Sequence, residues 1–253
     1  MPDVNLQSGA QAASWSLVTA FKAASSYVGG IMTQLLAARA ISHVDMAQLA
    51  FENSIPEDQF CIEGQELLER PGYFFGPFRD AYVGRMPALA KTNIVVQIRD
   101  PRDCLVSYYY SVAFSHGLPA PGPSRDKFMV ERETALALGL DEYALLSMKT
   151  YLPIFSEMIK IIETMPNVYV SRYEEMVVDF KPWLDRLAEY LGVGDQTDVK
   201  KAIVAAASFK VSEDQFNHKR QVTPGDFRRK LMPQTQSELT RCLEPVLSRL
   251  GYV

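Results

Sequence analysis

The sequence predicts an α/β fold, a single domain with a central parallel β-sheet flanked by helices. Three observations carry this. Trp15–Phe21 (WSLVTAF), Asn93–Ile98 (NIVVQI) and Val168–Val170 (VYV) read as short buried strands. The first two each lead through a polar turn into an apolar-faced helix, so strand, turn and helix alternate. A chain of 253 residues with 47% hydrophobic content can bury a sizeable core.

The elements follow in order. Residues 1–14 are polar and small and are expected to be a frayed, flexible N-terminus, with the folded domain spanning 15–253. After the first strand, Lys22–Ser26 (KAASS) forms the turn. Val28, Ile31, Met32, Leu35 and Leu36 then recur at helical spacing. Residues 43–90 mix short helical pieces with an aromatic loop, Tyr73–Arg79 (YFFGPFR). Asn93–Ile98 leads into Arg99-Asp100-Pro101-Arg102-Asp103. Pro101 suits the first turn of a helix that carries Leu105, Val106 and Tyr109.

Gly117–Ser124 is a Pro/Gly-rich loop, and a long helix from about 141 to 165 is expected to kink at Pro153. Val168–Val170 runs into Ser171-Arg172-Tyr173-Glu174-Glu175. Helices follow at 182–191, stopped near Gly192, and at 199–207. Residues 212–230 form a basic loop or lid. A last helix turns Leu239, Cys242, Leu243, Val246, Leu247 and Leu250 inward.

Composition excludes several classes of function. With 26 Lys+Arg against 30 Asp+Glu, the net charge of −4 argues against a nucleic-acid partner. The three cysteines, Cys61, Cys104 and Cys242, form no CxxC pair, which suits a reducing cytoplasm better than a disulfide scaffold. His43, His116 and His218 are dispersed, so no catalytic metal is expected. Neither a signal peptide nor a transmembrane stretch is legible.

Three constellations carry chemistry. The turn Phe21-Lys22-Ala23-Ala24-Ser25-Ser26-Tyr27 joins a strand to a helix start, where free amides and the helix dipole favour an anion. It is not GxxxxGK[ST], and a serine there also reads as an ordinary N-cap. Arg99 ends a strand, and Ser107 follows eight residues later in the next helix. Together they make a phosphate clamp, against the alternative of a solvated charge turn. His218-Lys219-Arg220 and Phe227-Arg228-Arg229-Lys230 concentrate positive charge in an acidic chain.

In their order these pieces resemble the sulfotransferase superfamily, which uses 3′-phosphoadenosine 5′-phosphosulfate (PAPS) and releases PAP. FKAASSY (21–27) resembles the family's 5′-phosphosulfate loop, PKSGTTW. IRDPRDCLVSYYYS (98–111) is similar to the 3′-phosphate motif, RNPKDVAVSYYHF. SRYEEM (171–176) is similar to the YED segment, and RQVTPGDFRRKL (220–231) to RKGxxGDW and its basic continuation.

The resemblance implies a P-loop-NTPase-like sulfotransferase fold and a role at each matching position. Lys22 would meet the bridging oxygen and the sulfuryl group, while Ser25 and Ser26 would hold the 5′-phosphate. Tyr27, Tyr173 and Phe209 would contact adenine. Arg99, Ser107 and Arg220 would bind the 3′-phosphate. PAPS would be a co-substrate, the acceptor a small-molecule, lipid or glycan hydroxyl, and no metal is required.

Four departures stand out. Phe21, Ala23 and Ala24 replace Pro, Ser and Gly of the first loop. Asp100 replaces Asn, and Gln221-Val222 replaces Lys-Gly. Where many members carry Thr-His, this chain has Phe75-Gly76-Pro77-Phe78-Arg79-Asp80. Asp80 and then His116 are the candidate general bases, and Arg79 could hold an anionic acceptor or the sulfuryl group. The expected activity is sulfuryl transfer from PAPS. Its rivals are a PAP(S)-binding protein with weak turnover and an ATP-dependent small-molecule kinase.

Overall fold

Five parallel strands form the sheet of this computed structural model, which describes residues 12–53, 55–118, 121–209, 213–217 and 221–253. They are β1 (Trp15–Thr19), β2 (Ser42–Val44), β3 (Tyr73–Phe78), β4 (Asn93–Ile98) and β5 (Val168–Arg172), in spatial order β2-β3-β1-β4-β5. Parallel strands need crossover connections, and the helical segments between them supply these. The chain leaves β1 towards β2 and β3 on one side, then returns to place β4 on the other. The strand order therefore reverses at β1. In open α/β sheets the carboxyl ends at such a point are where ligands bind.

The chain divides into two compact units, Met1–Ile98 with Ile154–Ala207 and Arg99–Pro153 with Ser208–Val253. The first contains the whole sheet. Its β1 is buried at every position, as a central strand of a two-sided sheet must be. Behind β1 runs α1 (Ser25–Ala37), which buries Val28, Ile31, Met32, Leu35 and Leu36, the face its spacing predicts. After β2 come α2 (Met46–Glu52) and α3 (Glu57–Glu63). After β5 come α6 (Tyr173–Val178), α7 (Phe180–Tyr190) and α8 (Thr197–Ala206). Trp183 of α7 is fully buried, and its indole N–H donates to Ser171 Oγ of β5 at 2.9 Å.

The second unit is helical. It holds α4 (Pro101–Tyr110), the short α9 (Asp226–Lys230), α10 (Pro233–Leu250) and most of the long run α5 (Pro123–Thr164). The expected inward face of the last helix is borne out for Leu239, Leu243, Val246, Leu247 and Leu250. Tyr109 joins a buried aromatic cluster with Tyr143. Tyr108 donates to Glu131 Oε1 at 2.6 Å, so the tyrosine run 108–110 is largely structural.

Two sequence expectations are corrected. Tyr73–Phe78 is a buried interior strand, not an aromatic loop, and all six of its residues are buried. Gly76-Pro77 disguised it, because a proline gives no ladder N–H and seldom sits inside a sheet. The pairing of β1 with β3 is irregular at that level. The break in the long helix falls at Gly139, with φ 72° and ψ −179°, rather than at Pro153. Glycine takes that conformation at little steric cost. Among the described residues, no helix is long and apolar enough to cross a membrane.

Candidate active site

The first unit gathers its chemistry at the carboxyl edge of the sheet. β1 ends at Thr19, and the chain turns through Ala20–Ala24 into α1. Lys22 and Ala24 take left-handed backbone angles, φ 67° and 66°, which cost a non-glycine residue about 1–2 kcal/mol each. Ala24 occupies the N-cap position and no side chain caps α1. The reading of Ser25 or Ser26 as a side-chain cap therefore falls. The start of α1 thus carries no side-chain cap, and the helix dipole there favours a negative charge.

Ser25 is buried, Ser26 is exposed, and Tyr27 is partly exposed beside Phe180, with ring centroids 6.3 Å apart. Phe180 in turn stacks on Trp183 at 5.5 Å. Tyr173 opens α6 at the carboxyl end of β5 and is buried. Tyr27, Phe180 and Trp183 thus form one run of ring contacts.

β3 delivers Arg79 and Asp80 to the same edge. Arg79 Nε donates to Ser25 Oγ at 3.0 Å. Asp80 is exposed, and its Oδ1 accepts from the Ala81 amide at 2.5 Å, capping the turn Ala81–Arg85. Glu57, at the start of α3, accepts from Tyr82 Oη at 2.8 Å. Burial raises the Glu57 carboxyl above its usual range, opposed by the Tyr82 bond and the Arg79 charge.

In the second unit the charge turn is not solvated. Arg99, Asp100, Arg102 and Asp103 are all buried. Asp100 caps α4 and takes a bidentate ion pair from Arg102, at 3.0 and 2.8 Å. Arg102 also bonds Thr240 Oγ1 and lies over the Phe227 ring. Asp103 accepts from the Gly225 amide at 2.7 Å and the Phe227 amide at 2.9 Å, and so ties the Gly-Asp-Phe turn to α4. Burial pushes the Asp103 carboxyl up, against the pull of Arg99 and those two amides. Arg99 lies 3.9 Å from Asp103, and Ser107 lies four residues beyond Asp103 on α4, half-buried.

His116 is exposed, with its ring against Phe128 and its carbonyl accepting from Arg132. Phe209 is half-buried in the stretch after α8. Arg220 lies outside the described residues. Glu213 pairs with Lys230 at 2.7 Å and Arg229 at 3.7 Å, so part of the basic loop is neutralised. Among the described residues, no group of His, Cys, Asp and Glu could hold a metal ion.

Arg79, Ser25, Lys22 and Asp80 thus share one edge of the first unit, while in the second Arg99 precedes α4 and Asp103 and Ser107 lie on it. Sequence reasoning missed Phe180, Glu57 and the role of Asp103. Phe180 precedes Trp183 by three residues, a helical spacing that could have flagged the pair. The Asp103 contact spans 122 residues and leaves no local trace.

A five-stranded parallel sheet whose order reverses at β1, with a strand–turn–helix loop at that point, is an open α/β fold of the kind that binds ligands at the carboxyl ends of its strands. The sulfotransferase domain family matches residues 86–243, and the chain belongs to that family. Among solved structures it is similar to a mouse sulfotransferase, SULT7A1, complexed with PAP. Identity is 16% with a TM-score of 0.58, covering 94% of this chain and 86% of that one. It is also similar to retinol dehydratase in a complex with retinol and PAP, at 17% identity and a TM-score of 0.51, covering 92% and 81%. At these identities the likeness is one of fold. Comparison with curated proteins gives no match.

Proposed function

We propose that this chain transfers the sulfuryl group of PAPS to a hydroxyl acceptor by in-line displacement. One observation carries the reading. The turn that holds Lys22 enters α1 without a side-chain cap, at the switch point of a sulfotransferase sheet. Uncapped amides and a lysine suit a phosphosulfate. The buried Arg99 guanidinium on the second unit suits a 3′-phosphate.

In this reading Ser25, Ser26 and the α1 amides take the 5′-phosphate, and Lys22 neutralises the leaving oxygen. Arg99, Ser107 and Arg220 take the 3′-phosphate, and Tyr27, Tyr173 and Phe209 take the adenine. The acceptor oxygen forms a bond to sulfur as the sulfur–bridging-oxygen bond breaks. The electron pair leaves on the 5′-phosphate of PAP, and the acceptor's proton passes to a base. Asp80, on the Lys22 edge of the sheet, is the first base and His116 the second. Catalysis then rests on positioning and electrostatics, with no metal needed. The acceptor is a small-molecule, lipid or glycan hydroxyl, and the reaction takes place in the cytoplasm.

Lys22→Ala tests this. Turnover of PAPS should fall by about 10²–10³ with PAP affinity held within a few-fold, whereas Arg99→Ala should mainly weaken PAP. A near-normal rate in the Lys22 variant would sink the assignment.

A further inference from the structure

Within the second unit, α4, α9 and α10 meet around a cavity of about 540 Å³. Arg102, Arg228 and Arg241 line it, and among the described residues no Asp or Glu does, in a chain whose net charge is −4. Arg99 and Ser107, the residues of the 3′-phosphate reading, are not part of its lining. We infer that this cavity is a second anion site, which binds a small hydroxylated organic phosphate or sulfate monoester.

The sequence builds the site from two stretches. The basic run after Gly225 supplies Phe227 and Arg228. Along α10, Gln236 and Thr240 are four apart, as are Ser237 and Arg241, so the four share a polar face distinct from the one that buries Leu239, Leu243 and Val246.

The walls are fixed before any ligand arrives. Gln236 Nε2 donates to the carbonyls of Arg228 at 3.1 Å and Leu231 at 2.8 Å, which fastens the end of α9 to α10. Arg102 Nη1 donates to Thr240 Oγ1 at 3.0 Å, which fastens α4 to α10. The guanidinium groups of Arg102 and Arg228 lie over the Phe227 ring, 4.2 and 5.0 Å from its centroid, and this contact keeps Arg228 at the cavity.

Two of the arginines have carboxylate partners, Asp100 for Arg102 and Glu238 for Arg241, and neither partner lines the cavity. The buried Arg102–Asp100 pair is a fixed floor. Arg241 is 72% exposed, and an ion pair at such a surface is weak, so its fork stays open to a ligand.

The lining selects the chemistry. Guanidinium forks match the oxygens of phosphate and sulfate. Thr240 accepts from Arg102 and keeps its own O–H to donate, and with Ser237 and Gln236 it suits hydroxyl groups beside the oxyanion. The volume falls in the range of small-molecule sites, about 300–1,000 Å³, and exceeds what a bare oxyanion fills. A phosphate monoester carries about −1.5 to −2 charges at pH 7 and a sulfate monoester a single one, so the phosphate binds more tightly.

Titration calorimetry on the full chain at pH 7 tests this with glucose 6-phosphate, glucose 6-sulfate and glucose, with PAP present in excess to fill the donor site. Both esters should bind, the phosphate more tightly, and glucose should bind at least about 10-fold more weakly than glucose 6-phosphate. Arg228 and Arg241 are exposed, so their variants keep the fold. Arg228→Gln and Arg241→Gln should each raise the glucose 6-phosphate Kd about 5- to 10-fold. Ser237→Glu places a like charge in the cavity and should raise it at least about 30-fold. The PAP Kd should stay within about 2-fold in all three variants.

Wild type that binds neither ester, or binds glucose as tightly as its phosphate, would overturn the inference. So would ester binding that appears only without PAP, or a Ser237→Glu variant within about 2-fold of wild type. Failure of PAP itself to bind would overturn the donor reading alone, since the three variants still report on this cavity.

Discussion

Removing the Asp103 carboxylate should unfold the second unit at markedly lower temperature. Asp103 is fully buried, and its two oxygens accept from the Gly225 and Phe227 amides. Asp103→Ala orphans both donors. A buried amide without a partner costs about 1–3 kcal/mol, the partly exposed Gly225 amide at the lower end, so the pair amounts to about 3 kcal/mol. Loss of the counter-charge 3.9 Å from buried Arg99 adds to this, and relief of the carboxylate's own burial cost offsets part of it. The net is about 3–4 kcal/mol. At about 2–4 °C per kcal/mol for a chain of this size, Tm should fall by roughly 6–16 °C. Circular dichroism melts at pH 7 measure it, and Asp103→Asn, which keeps one acceptor, should fall less. A drop of under about 2 °C in the alanine variant would refute the claim that Asp103 holds the Gly-Asp-Phe turn.

Ala24→Gly relieves a left-handed alanine at φ 66° while adding chain entropy to the unfolded state. A gain of about 0.5 kcal/mol is expected in urea melts, and a loss would contradict the strain. Trp183→Phe deletes the bond to Ser171 and part of a fully buried ring, and should cost about 1–3 kcal/mol with an unchanged denaturant m-value. Burial raises the Glu57 carboxyl above 4.5, so the folded state keeps that proton to higher pH than the unfolded chain. Stability contributed by Glu57 is therefore present below about pH 4.5 and is lost as pH rises through its folded value. Glu57→Gln should remove that part of the Tm–pH slope, and an identical slope would contradict it.

The parts of this fold that were legible in sequence are those written locally. The strand from Trp15 and the α1 stripe read directly, because a buried strand and an amphipathic helix each leave a short periodic signature, although the strand ends at Thr19 rather than Phe21 and Ser25 and Ser26 belong to α1 rather than to the turn. Tyr73–Phe78 did not, since Gly76-Pro77 denies the ordinary strand pattern. The Arg99–Asp103 string was ambiguous for another reason. Four alternating charges look solvated until Thr240, Phe227 and the Gly225 amide, all more than 120 residues away, are brought against them. The link from Arg79 to Ser25 is of the same kind. Sequence identified both residues, but only the parallel pairing of β3 with β1 joins them.

The central claim is that the anion turn before α1 and the buried Arg99 serve one donor nucleotide. A thermal-shift titration with PAP, set beside ADP and ATP–Mg²⁺, tests it most directly. Ligand at 100 times its Kd adds about 2.7 kcal/mol, which for this chain is roughly 5–10 °C. The account predicts that rise with PAP and a much smaller one with ADP, which lacks the 3′-phosphate. A rise with ATP–Mg²⁺ and none with PAP would contradict it.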